Sequence, residues 1–325
     1  MIISRTPFRI SFVGGSTDIE SFYKKHNGSV ITSAIDKYMY VSLSEQFEKK
    51  IIFSYSKVES VTDASHLKHR ILKETLIKYG INNNLEIHSN AEISTRGTGL
   101  GSSSSFTIGL LNCLFKHLKI RTSKKKLAEI ACEIEINLCK FPIGKQDQYI
   151  IAYGGLRKFN FIKDGSVKVH SFNLDLKFEK YFFNSILLVY TGKSRSSSKV
   201  LTNLNNSINK NNNFSNKMHI LLDLVKCFEK DLINQNISSM GQIISEGWNI
   251  KKNLVSNISN SNIDNIINIG IKFGSYGAKL LGAGGGGFVM FLSNSKVQKK
   301  LVEVFSHSII YKVKIDKDGS KLIYN

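Results

Sequence analysis

The feature that most constrains this chain is a glycine- and serine-rich segment, TRGTGLGSSSSF at 95–106, between a predicted strand and a predicted helix. Apolar residues alternate before it, from Leu85 to Ile93, and recur at helical spacing after it, from Phe106 to Leu118. In such a turn, successive backbone N–H groups and the start of the following helix attract phosphate oxygens. The segment therefore indicates a phosphate site, with a tight serine-capped turn as the alternative.

Two more glycine-rich segments lie near the ends of the chain. The alternation of Phe8, Ile10 and Phe12 predicts a strand that stops at a glycine pair, and GAKLLGAGGGG at 277–287 precedes a predicted strand at 288–292. The later segment also fits G-x-G-x-x-G, but a dinucleotide fingerprint opens a helix rather than a strand. Its glycines instead indicate that backbone approaches a ligand or a facing loop.

Strand and helix patterns mix along the chain without regular alternation, which predicts the α+β class. A length of 325 residues favours two lobes, and we assign them to 1–180 and 181–325. The tract LTNLNNSINKNNNFSNK at 201–217 is predicted to be an exposed, mobile connection in the second lobe.

The composition of the chain limits the classes of molecule that we expect it to bind. The formal net charge of +20 favours small anionic substrates, and without a basic motif interleaved with aromatic residues we predict no nucleic-acid partner. The four cysteines and eight histidines lack the spacing of a zinc site or a disulfide framework. No apolar run approaches the roughly 18 residues of a membrane span, so we predict no membrane partner and a cytoplasmic location.

The three glycine motifs also carry a resemblance. RTPFRISFVGGSTD at 5–18, GTGLGSSSS at 97–105 and GAKLLGAGGGG at 277–287 resemble, in order, the three motifs of the GHMP kinases. One departure is Thr95, where the family's second motif often begins with proline. The resemblance implies a two-lobed GHMP kinase fold, with an N-terminal ribosomal-protein-S5-like lobe and a C-terminal ferredoxin-like lobe. It also implies ATP and Mg²⁺ as cofactors.

Other segments resemble one branch of that family, the D-glycero-D-manno-heptose 7-phosphate kinases: IDKYMYV from 35, PIGKQDQY from 142, TGKSRSSS from 191 and EGWNIKKNL from 246. This resemblance implies phosphorylation of the sugar phosphate at O1 to the 1,7-bisphosphate, for GDP-heptose and surface polysaccharide synthesis. The alternatives are a sugar 1-kinase of the fucose or galactose type and a non-catalytic sugar-sensing relative. The oligomeric state stays open, with a homodimer to be tested.

The resemblance assigns the catalytic roles to Asp147 and Arg9. Asp147, in GKQDQY, matches the family's catalytic base, and Arg9 would steady negative charge that develops on the sugar oxygen and the transferring phosphoryl group. The alternative for Arg9 is a strand arginine that is paired at the surface. For magnesium, the helical stripe turns Glu135 further inward than Glu133, so we predict Glu135, with Ser102 or Ser103 as second ligand.

The remaining predictions concern binding. The second motif is predicted to bind ATP through Gly97, Thr98, Gly99, Leu100, Gly101, Ser102, Ser103 and Ser104. The predicted substrate-binding residues are Gly14, Gly15, Ser16, Thr17, Asp18, Lys145, Lys193, Arg195, Gly284 and Gly285. Asp18 would accept hydrogen bonds from sugar hydroxyls, or else cap a turn. Arg195 would bind the distal phosphate beside hydroxyl donors, or else lie in a solvated basic loop, with Lys145 or Lys252 in its place.

Overall fold

The computed structural model describes residues 1–93, 97–192, 197–208, 212–255 and 257–325, with backbone alone at 197–199, 206–208 and 212–213. Its strands are β1 (Ile2–Val13), β2 (Gly28–Glu45), β3 (Ile51–Ser54), β4 (Val58–Val61), β5 (Leu85–Ala91), β6 (Leu156–Phe161), β7 (Val167–Ser171), β8 (Ile186–Tyr190), β9 (Gly277–Leu280), β10 (Phe288–Leu292), β11 (Ile310–Lys312) and β12 (Lys321–Tyr324). Its helices are α1 (Glu20–His26), α2 (Arg70–Lys78), α3 (Ser102–His117), α4 (Lys124–Cys132), α5 (Gln146–Tyr153), α6 (Leu176–Asn184), α7 (Ser197–Ile208), α8 (Asn212–Ile233), α9 (Ile237–Lys252), α10 (Ser261–Lys272) and α11 (Ser295–Val304). A 3₁₀ turn spans Ala64–His66, and a π-helical segment, Glu133–Leu138, continues α4.

The first sheet is built around the long strand β2. It pairs with β1 between Ile31 and Leu43, while its N-terminal part also pairs with β6 and its C-terminal part with β5. The sheet continues from β5 through β3 to β4, and β7 extends it beyond β6. All these pairs are antiparallel except β3 with β5. Helix α3 packs on β1 and β2, so the glycine segment before it lies at the edge of this core.

The second sheet has the order β11-β8-β10-β9 and is antiparallel throughout. The third glycine motif begins in β9, and its remaining residues, 281–287, connect β9 to β10. The proposed lobe boundary at residue 180 falls inside helix α6, between β7 and β8, and β12 returns to pair with β1 in the first sheet. Antiparallel sheets mixed with helices confirm the predicted α+β class.

Strand β1 is buried on both faces from Thr6 to Val13, although its alternation predicted one polar face. The reason is that helices from both parts of the chain contact it: α3 and α5 from one, α8 and α9 from the other. Phe12 stacks on Phe228 of α8, with 5.6 Å between the ring centroids. Polar side chains of β1 therefore lie inside the molecule, where each needs a partner.

The predicted mobile connection at 201–217 is wrong for the part that the structure describes. Residues up to 208 belong to α7, and those from 212 belong to α8; 209–211 lie outside the described residues. Leu204 and Phe214 are buried, and the Asn205 amide receives a hydrogen bond from Ser21 Oγ (3.2 Å). The many asparagines concealed this helical packing, but Val200, Leu204 and Ile208 recur at helical spacing and were the available signal.

No helix in the described parts of the chain is long and apolar enough to cross a membrane.

Candidate active site

The second glycine motif forms the loop that leads into α3. Gly97, Gly99 and Gly101 have φ angles of 62°, 77° and 81°, in the left-handed region that L side chains rarely adopt. The three glycines therefore allow a curved backbone that ends at the helix N-terminus, a geometry suited to phosphate oxygens.

This loop is packed between the other two motifs. A Cβ on Gly99 would lie 2.4 Å from the Leu281 carbonyl oxygen, so only glycine fits against the third motif. Phe288 N donates to Thr98 O (3.2 Å), and on the other side Arg9 N donates to Leu100 O (3.0 Å). The three motifs, far apart in sequence, thus form one contiguous backbone cluster.

Arg9 and Asp147 form a bidentate salt bridge at this cluster. Arg9 Nε donates to Asp147 Oδ1 (2.7 Å) and Nη2 to Oδ2 (2.6 Å), while Nη1 donates to the Gly99 carbonyl. Arg9 is buried, which excludes the alternative of a surface pair, and Asp147 lies in the first turn of α5. Paired N–H donors fix the orientation of a carboxylate more tightly than a single one.

Glu135 is buried beside the serines that begin α3. Its carboxylate accepts hydrogen bonds from Ser103 Oγ (2.5 Å), Ser104 Oγ (2.7 Å) and the Gln148 amide. Burial raises the pKa of Glu135, and these hydrogen bonds oppose that rise. Glu133 points elsewhere and pairs with Lys78 (2.6 Å).

The donors around Glu135 are the kind that magnesium uses. A carboxylate and hydroxyl oxygens, completed by nucleotide phosphates and water, match the preference of Mg²⁺ for oxygen ligands. Among the described residues no group of three or more His, Cys, Asp or Glu side chains is arranged to hold a metal ion. A magnesium site here would use Glu135 and the hydroxyls beside it. The structure brings Ser103 and Ser104 to that carboxylate, and Ser102 begins the same helix.

Two adjoining cavities meet at Asp147 and Arg9. The larger, about 330 Å³, is lined by the second motif, by Thr98 and Ser102–Ser104, and by Gly282 and Gly284 of the third. The smaller, about 90 Å³, is lined by Gly15, Ser16 and Asp18 of the first motif. Arg9, Asp147, Leu201 and Gly282 line both. A group bound in either cavity therefore lies beside the same carboxylate.

Asp18 connects the first motif to the segment before α5. Its Oδ1 accepts from Ser16 N (3.2 Å) and Gln146 Nε2 (3.2 Å), and its Oδ2 from Gln146 N (3.1 Å). Burial raises the pKa of Asp18 despite these bonds. A Cβ on Gly144 would lie 1.9 Å from Oδ2, so glycine is required there. Asp18 thus holds two loops together and also faces the smaller cavity.

Four other predicted binding residues support the site rather than line it. The Thr17 hydroxyl lies within hydrogen-bond distance of Gly14 O (2.8 Å) in its own turn and of Ser29 O (2.9 Å) in β2, and Leu100 is fully buried. Gly285 N donates to Ile258 O (2.8 Å). Thr17, Leu100, Gly285 and Gly14 do not line the two cavities. They support the loops that do.

Of the three basic residues predicted to bind substrate, the structure describes Lys145, which is not among the residues that line the two cavities. Lys145 Nζ donates to Gly165 O (2.8 Å), lies 4.8 Å from the Tyr23 ring centroid and lines a separate space. These contacts direct the Lys145 ammonium group toward Gly165 and Tyr23. Lys193 and Arg195 lie outside the described residues.

Two lysines that the sequence did not single out line the smaller cavity. Lys251 Nζ donates to Gly282 O (2.7 Å), and Lys279 Nζ donates to Ser11 O (3.0 Å) and Phe12 O (2.8 Å). Both lie within segments noted above, EGWNIKKNL and GAKLLGAGGGG, but a lysine carries little signal in so basic a chain. Only the folded chain shows that they converge.

An aromatic cavity of about 600 Å³ adjoins the start of α3. Phe53, Tyr55, His69 and Phe106 line it together with Ser102 and Ser103, and Phe53 stacks on Tyr55 with 4.7 Å between ring centroids. Sequence analysis missed this cavity because its walls come from β3, α2 and α3, which no local pattern links. Aromatic side chains such as those lining it stack on planar heterocycles.

Comparisons with known proteins agree with this architecture. The model of the GHMP kinases N terminal domain matches residues 66–155, and that of the GHMP kinases C terminal domain matches residues 228–307. The D-glycero-alpha-D-manno-heptose 7-phosphate kinase of Campylobacter jejuni is 25% identical over 317 residues, covering 93% of this chain and 92% of the relative. The galactokinase of Thermococcus kodakarensis is 24% identical over 333 residues, covering 88% of each.

A solved structure shares the fold. The D-glycero-D-manno-heptose 1-phosphate kinase of Bacteroides thetaiotaomicron superposes with a TM-score of 0.77 at 19% identity, covering 100% of both chains. The two family domains occur in order and together span more than half of the residues. The chain therefore belongs to the GHMP kinases and is an ATP-dependent kinase.

Proposed function

We propose that this sugar kinase transfers the γ-phosphate of ATP to O1 of D-glycero-D-manno-heptose 7-phosphate. The product would be the 1,7-bisphosphate, for GDP-heptose and surface polysaccharide synthesis. The observation that carries the proposal is the Asp147–Arg9 pair at the junction of a glycine-lined cavity and a smaller polar one. Similarity to a heptose 7-phosphate kinase along 93% of the chain supports the choice of sugar.

In this proposal Asp147 orients the O1 hydroxyl and accepts its proton as the O1–phosphorus bond forms and the bond from the γ-phosphorus to the ADP oxygen breaks. Arg9 fixes the Asp147 carboxylate through two hydrogen bonds. Its position between Asp147 and the Gly99 carbonyl also puts its positive charge beside the path of the transferring phosphoryl group.

The nucleotide would bind along the second motif. Backbone N–H groups from Gly97 to Gly101 and the N-terminus of α3 would hold the phosphates. The aromatic cavity around Phe53 and Phe106 would receive the adenine, because it opens beside Ser102 and Ser103. Glu135, with Ser103 and Ser104, would hold Mg²⁺, which would neutralise phosphate charge. Water exclusion would follow from the packing of the third motif over this loop.

Two alternatives remain as competing proposals. A sugar 1-kinase for galactose or fucose is supported by the similarity to a galactokinase over 88% of the chain. A non-catalytic sugar sensor is disfavoured by the intact Asp147, Glu135 and serine set. The cytoplasmic location, the absence of a nucleic-acid partner and the homodimer stay predictions.

A coupled assay of ADP release tests the proposal. The purified chain would receive ATP and Mg²⁺ with heptose 7-phosphate, heptose, galactose or fucose, or with no sugar. We expect the highest kcat/KM for heptose 7-phosphate and negligible ADP release without sugar. A higher kcat/KM for galactose or fucose would favour the first alternative, and no turnover with any sugar would favour the second.

A further inference from the structure

We propose that Lys251, together with Lys279, binds the non-reacting phosphate of the sugar phosphate in the smaller cavity. This inference rests on the proposed function, because it concerns the end of the substrate that is not phosphorylated. It assigns specificity to two residues that lie apart from the predicted Lys193 and Arg195.

The first support is the position of the two cations. Both line the same cavity as Asp147, at the side formed by β1, β9 and α9. The cavity, of about 90 Å³, is much smaller than the adjoining one of about 330 Å³, so it would take one end of a substrate rather than the whole of it. A substrate that bridges the two cavities would have its reacting end beside Asp147 and its charged end beside Lys251.

The second support is that polar groups lining the smaller cavity have hydrogen-bonding capacity that is not used. To described residues, Lys251 Nζ donates one hydrogen bond and Lys279 Nζ two, all to backbone carbonyls, so each ammonium has a further N–H not used by them. Within the described chain neither lysine forms an ion pair with a carboxylate. Ser11 Oγ, which also lines the cavity, is buried without a hydrogen-bond partner among the described residues. An anion would satisfy all three groups.

The third support is electrostatic. Burial lowers the pKa of Lys251 to about 8, with Arg9 contributing, while Asp18 and Asp147 oppose the shift. Burial also lowers the pKa of Lys279, and Lys251 and Arg9 lower it further. The Asp18 oxygens are already occupied by three donors, and Asp147 is paired with Arg9. A phosphate would supply the negative charge that stabilises protonated lysines here.

A set of variants tests this assignment. Lys251→Met removes the charge and keeps nearly the same side-chain length. The control is Lys252→Met, because Lys252 is the next residue on α9 and its Nζ lies 3.9 Å from Asp264 Oδ1. With ATP saturating, kcat/KM would be measured for heptose 7-phosphate and for unphosphorylated heptose. We expect Lys251→Met to lose about 30-fold for the phosphorylated sugar only, as for a charge-assisted contact. Lys251→Arg should recover part of the loss, and Lys252→Met should match the parent.

Two results would overturn the assignment. Equal losses for both sugars would mean that Lys251 acts on the transferring phosphoryl group or on the fold. If kcat/KM for heptose 7-phosphate is unchanged in Lys251→Met, and Arg195→Ala loses the preference for the phosphorylated sugar, the phosphate subsite lies in the segment that contains Arg195.

A binding measurement separates this inference from the proposed function. Inorganic phosphate would be titrated into the nucleotide-free parent, Lys251→Met and Lys252→Met proteins by calorimetry. If no heptose is phosphorylated but Lys251→Met alone loses phosphate affinity by tenfold or more, the proposed function fails and the anion subsite stands. Phosphate binding that is identical in all three proteins would refute the subsite, whatever the sugar specificity.

Discussion

At the scale of single residues, Asp147 is the side chain on which the proposed chemistry depends. Asp147→Asn keeps the size of the side chain but removes a proton acceptor. We expect ATP affinity close to the parent value and a kcat lower by about 10²- to 10⁴-fold, the usual contribution of general base catalysis. Steady-state kinetics together with nucleotide titration would measure both. A kcat near that of the parent would show that Asp147 only positions the sugar or has no role.

Glu135 and Glu133 form a matched pair two residues apart, one buried against serines and the other paired with Lys78. Glu135→Gln removes a charge that would bind Mg²⁺, so we expect the magnesium concentration for half-maximal rate to rise by about tenfold or more. Glu133→Gln is the control and should leave it unchanged. If the Glu135→Gln magnesium titration overlays that of the parent, the metal is held by other groups.

At the scale of elements, the contact between the second and third motifs can be tested through glycine. Gly99→Ala meets both a left-handed φ of 77° and the Leu281 carbonyl 2.4 Å away, whereas Gly80, with φ 67°, has no atom within 4 Å of its added Cβ. We expect Gly80→Ala to cost about 1–2 kcal/mol in the free energy of unfolding. Gly99→Ala should cost more and weaken ATP binding at least tenfold.

Denaturant unfolding and nucleotide titration would be measured on both glycine variants. Equal destabilisation and unchanged ATP affinity would show that the loop can relax away from the third motif.

Helix α7 provides a second test at this scale, since its sequence predicted a mobile connection. Leu204 is buried and Thr202, on the same helix, is exposed. Leu204→Ala should lower the free energy of unfolding by about 2–5 kcal/mol, as for other large-to-small core changes, and Thr202→Ala should change it little. Chemical denaturation would measure both. A Leu204→Ala midpoint equal to that of the parent would support the mobile connection instead.

At the scale of the whole molecule, local pattern predicted the parts that depend on neighbours in sequence. The strand before Gly14, the helix from Ser102 and the strand Phe288–Leu292 follow from periodicity and glycine turns. The burial of Arg9 and the convergence of Lys251 with Lys279 were not predictable, because they require β1 to be covered by helices from both parts of the chain. The aromatic cavity was not predictable either, because its walls come from β3, α2 and α3, which no local pattern links.

The net charge of +20 acts at this scale too. Both substrates of the proposed reaction are anions, and a positive electrostatic field raises their concentration near the two cavities. The two lysines of the smaller cavity bring part of that charge next to Asp147. Long-range attraction and specific recognition are therefore separate contributions, and salt screens mainly the first.

Phosphorus NMR of the reaction products tests the central claim most directly. The purified chain would be incubated with heptose 7-phosphate, ATP and Mg²⁺, and the sugar product would be examined after the nucleotides are removed. The account predicts a second phosphate resonance that couples to the anomeric proton at C1, with the original C7 phosphate unchanged. A product phosphorylated at another hydroxyl, or no sugar bisphosphate while galactose or fucose is converted, would contradict it.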